Sequence, residues 1–303
     1  MLGDGSRERN LTVQTQEQLA EEFEEHRSHL RGVAYRMLGS MAEADDAVQD
    51  TWLRLARSDT AEVHNLRGWL TTVVSRICLD LLRSRKSRRE ESLEVHVPDP
   101  IVTRLDVDPE ASAEQADAVT LALLVVLDAL SPRERMAFVL HDMFGVPFDD
   151  IGEIVGSTPG AATQLASRAR RRVRATPPPA ADLAPQRRVL EAFTSAAQEG
   201  DFEALLRVLD PDVTLRADAG PGGASAVIRG AAAVASNASA FRRTGHEHFQ
   251  VWALVNGAVG LVGIKDGVPV SVFSPVIRDG RIVEINIVAD PQRIAALDLS
   301  DVL

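Results

Sequence analysis

Cysteine is nearly absent from this chain of 303 residues: Cys78 stands alone, which excludes an internal disulfide framework and a multi-cysteine zinc site. A reducing cytoplasm suits such a chain. No apolar run approaches the roughly 18 residues of a membrane span. Residues 1–18 are polar and mixed in charge, without the apolar segment of a secretory signal. Internal repeats are missing, and the sole low-complexity tract is Pro177-Pro178-Pro179. Lysine is scarce too, Lys86 and Lys265 standing against 31 arginines.

Positive charge in excess is the remaining absence. A formal net charge of −11 speaks against sequence-independent attachment to nucleic acid, which comes from Lys and Arg neutralising phosphates. The average hides the distribution. Acids outnumber bases 17 to 14 over residues 1–97, 7 to 1 over 98–130 and 15 to 11 over 177–303, whereas residues 131–176 carry 5 acids and 7 bases. Two concentrated clusters survive: Arg83, Arg85, Lys86, Arg88 and Arg89, then Arg168, Arg170, Arg171, Arg172 and Arg174.

Proline-bearing stretches around 97–109 and 176–181 divide the chain into three expected units. The boundaries expected are 17–92, a linker 93–116, a second domain 117–176, a linker 177–185 and a third domain 186–303. In the first, apolar residues recur at helical spacing over 17–38, 43–56 and 66–88. The middle helix keeps Ala44, Ala47, Val48, Trp52 and Leu55 on one side and Asp45, Asp46, Gln49 and Asp50 on the other. The second unit has an Ala/Leu-rich helix at 120–130 and a start signal at Ser131-Pro132 for a helix over 133–143. A short helix at 148–155, the turn Gly156-Ser157-Thr158 and a restart at Pro159 make a helix-turn-helix. Its last helix buries Ala162, Leu165, Ala169 and Val173 and turns Gln164, Ser167, Arg168 and Arg171 outward. Gln164 suits adenine and Arg168 guanine, with the later arginines on phosphates. A merely solvated arginine face is the alternative, and the position at the end of a helix-turn-helix weighs against it.

The third unit opens with helices at 186–198 and 202–209, a strand at 213–216, a Gly-rich loop and a helix at 230–242. Four strand-like runs follow, 246–255, 258–265, 268–278 and 281–288, joined by Asn256-Gly257, Asp266-Gly267 and Asp279-Gly280. Such dipeptides favour two-residue hairpins, and three in succession specify an antiparallel meander in an α+β domain with helices on one side.

Residues 43–55 (Glu-Ala-Asp-Asp-Ala-Val-Gln-Asp-Thr-Trp-Leu-Arg-Leu), residues 66–83 (Leu-Arg-Gly-Trp-Leu through Leu-Leu-Arg) and Leu130-Ser-Pro-Arg-Glu-Arg with the helix-turn-helix behind it resemble a sigma factor of the extracytoplasmic function (ECF) class of the sigma-70 family. The third unit resembles a SnoaL-like domain, as in the SigJ-like subgroup. The resemblance implies a multidomain chain: two all-α sigma domains, the region 2 bundle and the region 4 helix-turn-helix, plus a C-terminal α+β SnoaL-like curved-sheet domain. It implies a promoter-specific initiation factor, tuned in cis by its C-terminal domain, whose partners are core RNA polymerase (β and β′ subunits), promoter DNA and an anti-sigma factor, with no membrane. By position, Asp45, Asp46, Gln49, Asp50 and Trp52 match the polymerase-docking helix. The loop 58–65 with Arg67, Trp69, Arg76, Asp80 and Arg83 matches the part that opens and reads the −10 element, and Gln164, Ser167, Arg168 and Arg171 match the helix that reads the −35 element. Many relatives carry asparagine where Arg76 stands. The subgroup's Trp-Leu-Pro-Glu-Pro linker signature reads Val95-His-Val-Pro-Asp-Pro here, and its Asp-Gly-Gly-Gly-Lys loop reads Asp218-Ala-Gly-Pro-Gly-Gly, so the contact these motifs make is expected to be altered.

Catalysis is the competing reading of the third unit. His246 and His248 share a strand face with Trp252, and Glu284 and Asn286 share another, so a pocket built from His248, Trp252, Glu284 and Asn286 would supply acid/base groups. No nucleophile or paired carboxylate completes a catalytic set, two histidines fall short of a zinc site, and neither cofactor nor metal is expected. The alternative function is therefore a helix-turn-helix regulator fused to a ligand-sensing or enzymatic SnoaL-like domain.

Overall fold

The three helical periods of the N-terminal part become α1 (Gly5–Leu38), α2 (Met41–Leu55) and α3 (Leu66–Arg88). The computed structural model describes residues 5–58, 65–88, 95–105, 120–174, 182–243, 249–300 and 302–303, with side chains described outside 5–17, 86–88 and 239–243. Phe23, Leu30, Val33 and Met37 of α1, Ala44, Ala47, Val48 and Leu55 of α2, and Leu70, Val74, Ile77 and Cys78 of α3 are buried. Each helix lies against the other two, so every apolar stripe finds a partner. Arg85 closes the end of α1: its guanidinium donates to the Leu38 carbonyl (2.9 Å) and pairs with Glu43. That member of the first basic cluster is committed to the fold.

By packing the chain falls into two compact units, the helix-turn-helix sharing a core with the N-terminal helices. Met1–Glu90 and Leu130–Arg171 make the first unit, and Glu91–Ala129 with Arg172–Leu303 the second. In the first unit follow α5 (Pro132–Phe138), α6 (Phe148–Val155) and α7 (Pro159–Val173), with α5 and α6 both against α3. Ser131 caps α5 through a capping box with Glu134, an arrangement worth about 1 kcal/mol. The helix expected to run to residue 143 instead loosens into a π-helical turn, Val139–Met143. Arg135 is 1% exposed, and its Nε donates to the Arg36 carbonyl of α1 (3.1 Å). A buried arginine at this seam was not legible from a polar-looking Arg-Glu-Arg run.

The second unit holds β1 (Val102–Arg104), α4 (Leu121–Asp128), α8 (Leu183–Glu199), α9 (Phe202–Val208), β2 (Leu209–Asp218), β3 (Ala226–Arg229), α10 (Ala231–Arg243), β4 (Phe249–Val255), β5 (Ala258–Lys265), β6 (Val268–Arg278), β7 (Arg281–Val288) and α11 (Pro291–Ala296). One sheet runs in the order β1-β4-β5-β6-β7-β2-β3. The meander β4 to β7 is antiparallel, as the turn residues imply: Asn256, Asp266 and Asp279 take φ of 49°, 51° and 51°. β2 instead joins β7 in parallel. Register shifts after Gly263 and Val276 bend the sheet. Leu190 and Phe193 of α8, Leu205 of α9 and Val234 of α10 share a buried cluster with Leu215, Leu261 and Ile285, so the helices cover one face. Strands β1 and β3 and helix α11 were not foreseen. Among the described residues no helix is long and apolar enough to cross a membrane.

Candidate nucleic-acid interface

On α2 the division into two faces is clean. Ser40 caps the helix by accepting from the Glu43 amide, and Ala44, Ala47, Val48, Thr51 and Leu55 are buried. Asp45, Asp46, Gln49 and Asp50 are exposed, and Trp52 is half-buried, its ring 5.2 Å from that of Phe23. Asp45 is held by Arg31 of α1 through bonds of 2.7 and 3.0 Å. Leu53, which the sequence reading passed over, is exposed on the same side. The surface is an acidic patch with an apolar member on a rigid, capped helix.

Helix α3 turns a second strip outward. Trp69 is half-buried and Arg76, Asp80 and Arg83 are exposed, spaced three, four or seven residues apart and thus on one face. Asp80 and Arg83 form an ion pair of 3.5 Å. Arg67 is exposed as well, but lies about half a turn away around the helix, beside His29 of α1. Of the loop 58–65, residues 59–64 lie outside the described residues, as do the side chains of Lys86 and Arg88 and the whole of Arg89.

The third surface is α7. Gly152 of α6 sits so close to the turn that an added Cβ would lie 3.0 Å from the Ser157 carbonyl and 3.1 Å from the Pro159 nitrogen, and Gly156 ends α6 with a φ of 66°. Thr158 then caps α7 by accepting from the Ala161 amide (3.2 Å). Ala162 and Ala169 are buried and Leu165 and Val173 partly so; Ala166 joins them. Gln164, Ser167, Arg168 and Arg171 are all exposed on the opposite face. Arg170 points elsewhere, donating to Asp142 at 2.5 Å. Chemically, the exposed set offers one carboxamide, one hydroxyl and two guanidinium groups, the donors and acceptors that base edges and phosphates require.

The expected pocket in the second unit does not assemble. Trp252 lies on the helix-covered face, packed against the core with the Arg187 guanidinium 5.4 Å from its ring centre. Its cross-strand neighbours run Leu261, Phe273, Ile287 and Ala217. Glu284 and Asn286 alternate with Ile285 and Ile287 and therefore occupy the other face. There Glu284 pairs with Arg216 (2.8 Å), and the fully buried Asn286 donates to Glu284 (2.9 Å). His248 and His246 lie outside the described residues. Among the described residues no group of three or more His, Cys, Asp or Glu is placed to hold a metal ion.

A polar clasp does form in this unit, from residues of the linker. The Asp218 carboxylate accepts from the Val97 amide (3.1 Å), His96 Nδ1 (3.1 Å) and Arg293 Nη1 (2.7 Å). Arg293 also donates to Asp99 (2.5 Å) and to the Val97 carbonyl. Burial alone would raise the Asp218 pKa, but the bonds from His96, Val97, Arg293 and Gly220 outweigh it and hold the carboxyl well below the usual range. Downstream, β1 pairs with β4, and Asn256 exchanges two hydrogen bonds with the Ile101 backbone. The two altered motifs thus meet despite the missing tryptophan and lysine. The cation comes from α11, an element that the sequence reading missed.

Residues 23–88 match the family Sigma-70 region 2, and residues 120–173 match Sigma-70, region 4. The ECF RNA polymerase sigma factor SigJ of Mycobacterium tuberculosis is 39% identical over 296 residues, covering 92% of this chain and 94% of that protein. SigI of the same organism, named as a probable ECF RNA polymerase sigma factor, is 40% identical over 201 residues, 65% of this chain and 69% of its own. The crystal structure of SigJ aligns with a TM-score of 0.72 at 34% identity, covering 92% of this chain and 99% of the other.

Proposed function

Since the chain belongs to the ECF RNA polymerase sigma factors, we propose that its three exposed surfaces divide the work of promoter-specific initiation: α2 docks on core polymerase, α3 engages the −10 element and α7 reads the −35 element. The observation that carries this is the separation of roles on α2, where Asp46, Gln49 and Asp50 face solvent from a helix whose other side is buried. A free acidic patch of that kind suits a basic docking site on a partner protein and repels DNA phosphates. Trp69, Arg76, Asp80 and Arg83 supply stacking and cationic groups for opened strands, and Gln164, Ser167, Arg168 and Arg171 enter the major groove. The work takes place in the cytoplasm, with the polymerase.

The second unit acts in cis and without chemistry of its own. Supporting this, Trp252 is separated from Glu284 and Asn286 by the sheet, while Asp218 and Arg293 grip residues 96–99 of the linker that precedes the helix-turn-helix. Transcription in vitro with core polymerase tests the main reading: adding the chain yields transcripts from defined start sites, and the double substitution Asp46→Lys, Asp50→Lys abolishes both core binding and transcription. Unchanged core binding by that variant overturns the docking assignment. Arg293→Ala is expected to change transcript yield at unchanged core affinity, and no change in yield refutes control through the clasp.

A further inference from the structure

A glycine interrupts α1 where Phe144 meets it. Gly32 is half-buried, and a Cβ added there would stand 3.8 Å from the Phe144 ring. Glycine weakens a helix interior, and here it makes room for an aromatic side chain. Phe144 ends the π-helical turn Val139–Met143. Its ring takes His29 edge-on at 5.2 Å and 90°, and the Arg36 guanidinium lies 5.0 Å from its centre. Arg36 also donates to the Gly32 carbonyl (3.1 Å), while its own carbonyl accepts from Arg135 of α5 (3.1 Å). One turn of α1 is thus gripped at two points by the segment that leads into the helix-turn-helix. Arg36 and Arg135 are both buried, so parting the seam at this point returns two guanidinium charges to water, which a permanent apolar core would not do.

Distance gives this seam a consequence. The α3 strip and α7 both belong to the first unit, and a globular body of its roughly 130 residues is about 35–40 Å across. The −10 and −35 elements lie about 25 base pairs apart, or about 85 Å of B-form DNA at about 3.4 Å per pair. While closed, the unit cannot hold both.

We propose that Phe144 is an autoinhibitory latch: seated over Gly32 between His29 and Arg36, it keeps the helix-turn-helix closed on α1 until polymerase and promoter draw the two apart. This rests on the assignment of α3 to the −10 element and α7 to the −35 element. When the binding-competent state is a minor fraction of the free chain, the apparent affinity falls by that fraction, so loosening the latch raises it.

The experiment uses the full-length chain carrying Cys78→Ala, with a donor and an acceptor dye at Glu22→Cys on α1 and Glu153→Cys on α6, both exposed positions. Energy transfer is read in the free chain and after addition of core polymerase with a promoter fragment selected by the wild-type holoenzyme from random DNA. Transfer is expected to be high in the free chain and to fall in the complex. Phe144→Ala removes the ring, and Gly32→Leu wedges it out while placing a good helix former in α1. Both are expected to lower transfer in the free chain and to half-saturate the complex at roughly three- to tenfold lower concentration. Low transfer in the free wild-type chain overturns the closed state, as does transfer unchanged in the complex, which would mean that the DNA bends to a closed protein. If neither latch variant gains affinity, the autoinhibition fails. If Arg76→Ala and Arg168→Ala form the complex like wild type, it is the assignment of the two promoter-reading surfaces that fails.

Discussion

Asp218 concentrates the electrostatics of the second unit in one carboxylate. Because its folded pKa lies below that of the unfolded chain, it adds stability that is fully present above the unfolded value near pH 4 and is lost as pH falls below that. Replacing it with asparagine leaves Arg293 short of a buried partner, at a cost of about 3 kcal/mol at neutral pH. Urea melts of wild type and Asp218→Asn should therefore differ most at pH 7, with the gap narrowing as the pH falls below 4 and closing only once the folded carboxyl takes up its proton. A gap that does not narrow at all between pH 5 and pH 2 would assign the loss to packing and not to charge. Arg135 makes a similar point in the first unit: a guanidinium that reads as surface chemistry in the sequence is buried against the Arg36 carbonyl, where truncation would strand that acceptor.

At the scale of elements, the helix-turn-helix depends on a close approach between α6 and the turn. Gly152→Leu would drive a side chain into the backbone of Ser157 to Pro159 and is expected to destabilise the first unit by about 1–3 kcal/mol, lowering its melting temperature and uncoupling α7. Unaltered melting would mean that the turn yields without cost. Backbone amides of β1 should exchange with solvent slowly in the native chain and quickly in Asp218→Asn if the clasp and the edge strand hold as one piece. Local chemistry made some elements legible. Asn-Gly and Asp-Gly specify their turns within two residues, and helical periodicity separated the exposed from the buried residues on α2 and α7, whereas on α3 Arg67 lies half a turn from Trp69, Arg76, Asp80 and Arg83. Elements with partners far along the chain left no such trace: Val102–Arg104 is a strand because β4 offers an edge, and the π-helical turn Val139–Met143 lies against α1. The pocket misled for the same reason. Alternation says which residues of one strand share a face, but only pairing through Leu261, Phe273 and Ile287 says which face of β4 matches which face of β7.

For the whole molecule, the net charge of −11 acquires a use. Arginines exposed on α3 and α7 are too few to outweigh the remainder in free solution, so the chain alone is expected to show negligible affinity for random duplex DNA at 50–100 mM salt, and the holoenzyme strong, salt-sensitive affinity. Fluorescence anisotropy with labelled duplex distinguishes these. Tight binding by the free chain would contradict a charge balance that keeps it off DNA until the polymerase is joined.

The lone thiol offers one more consequence. Cys78 is fully buried in α3, and burial pushes its pKa up to about 12, so at pH 8 only about one thiol in ten thousand is ionised even before access is considered. A disulfide reagent can then reach it only through opening events of the first unit. With a single reactive position in the chain, labelling kinetics become a clock for those openings: a protection factor read at one residue, whose dependence on denaturant separates local fraying from unfolding of the three-helix core.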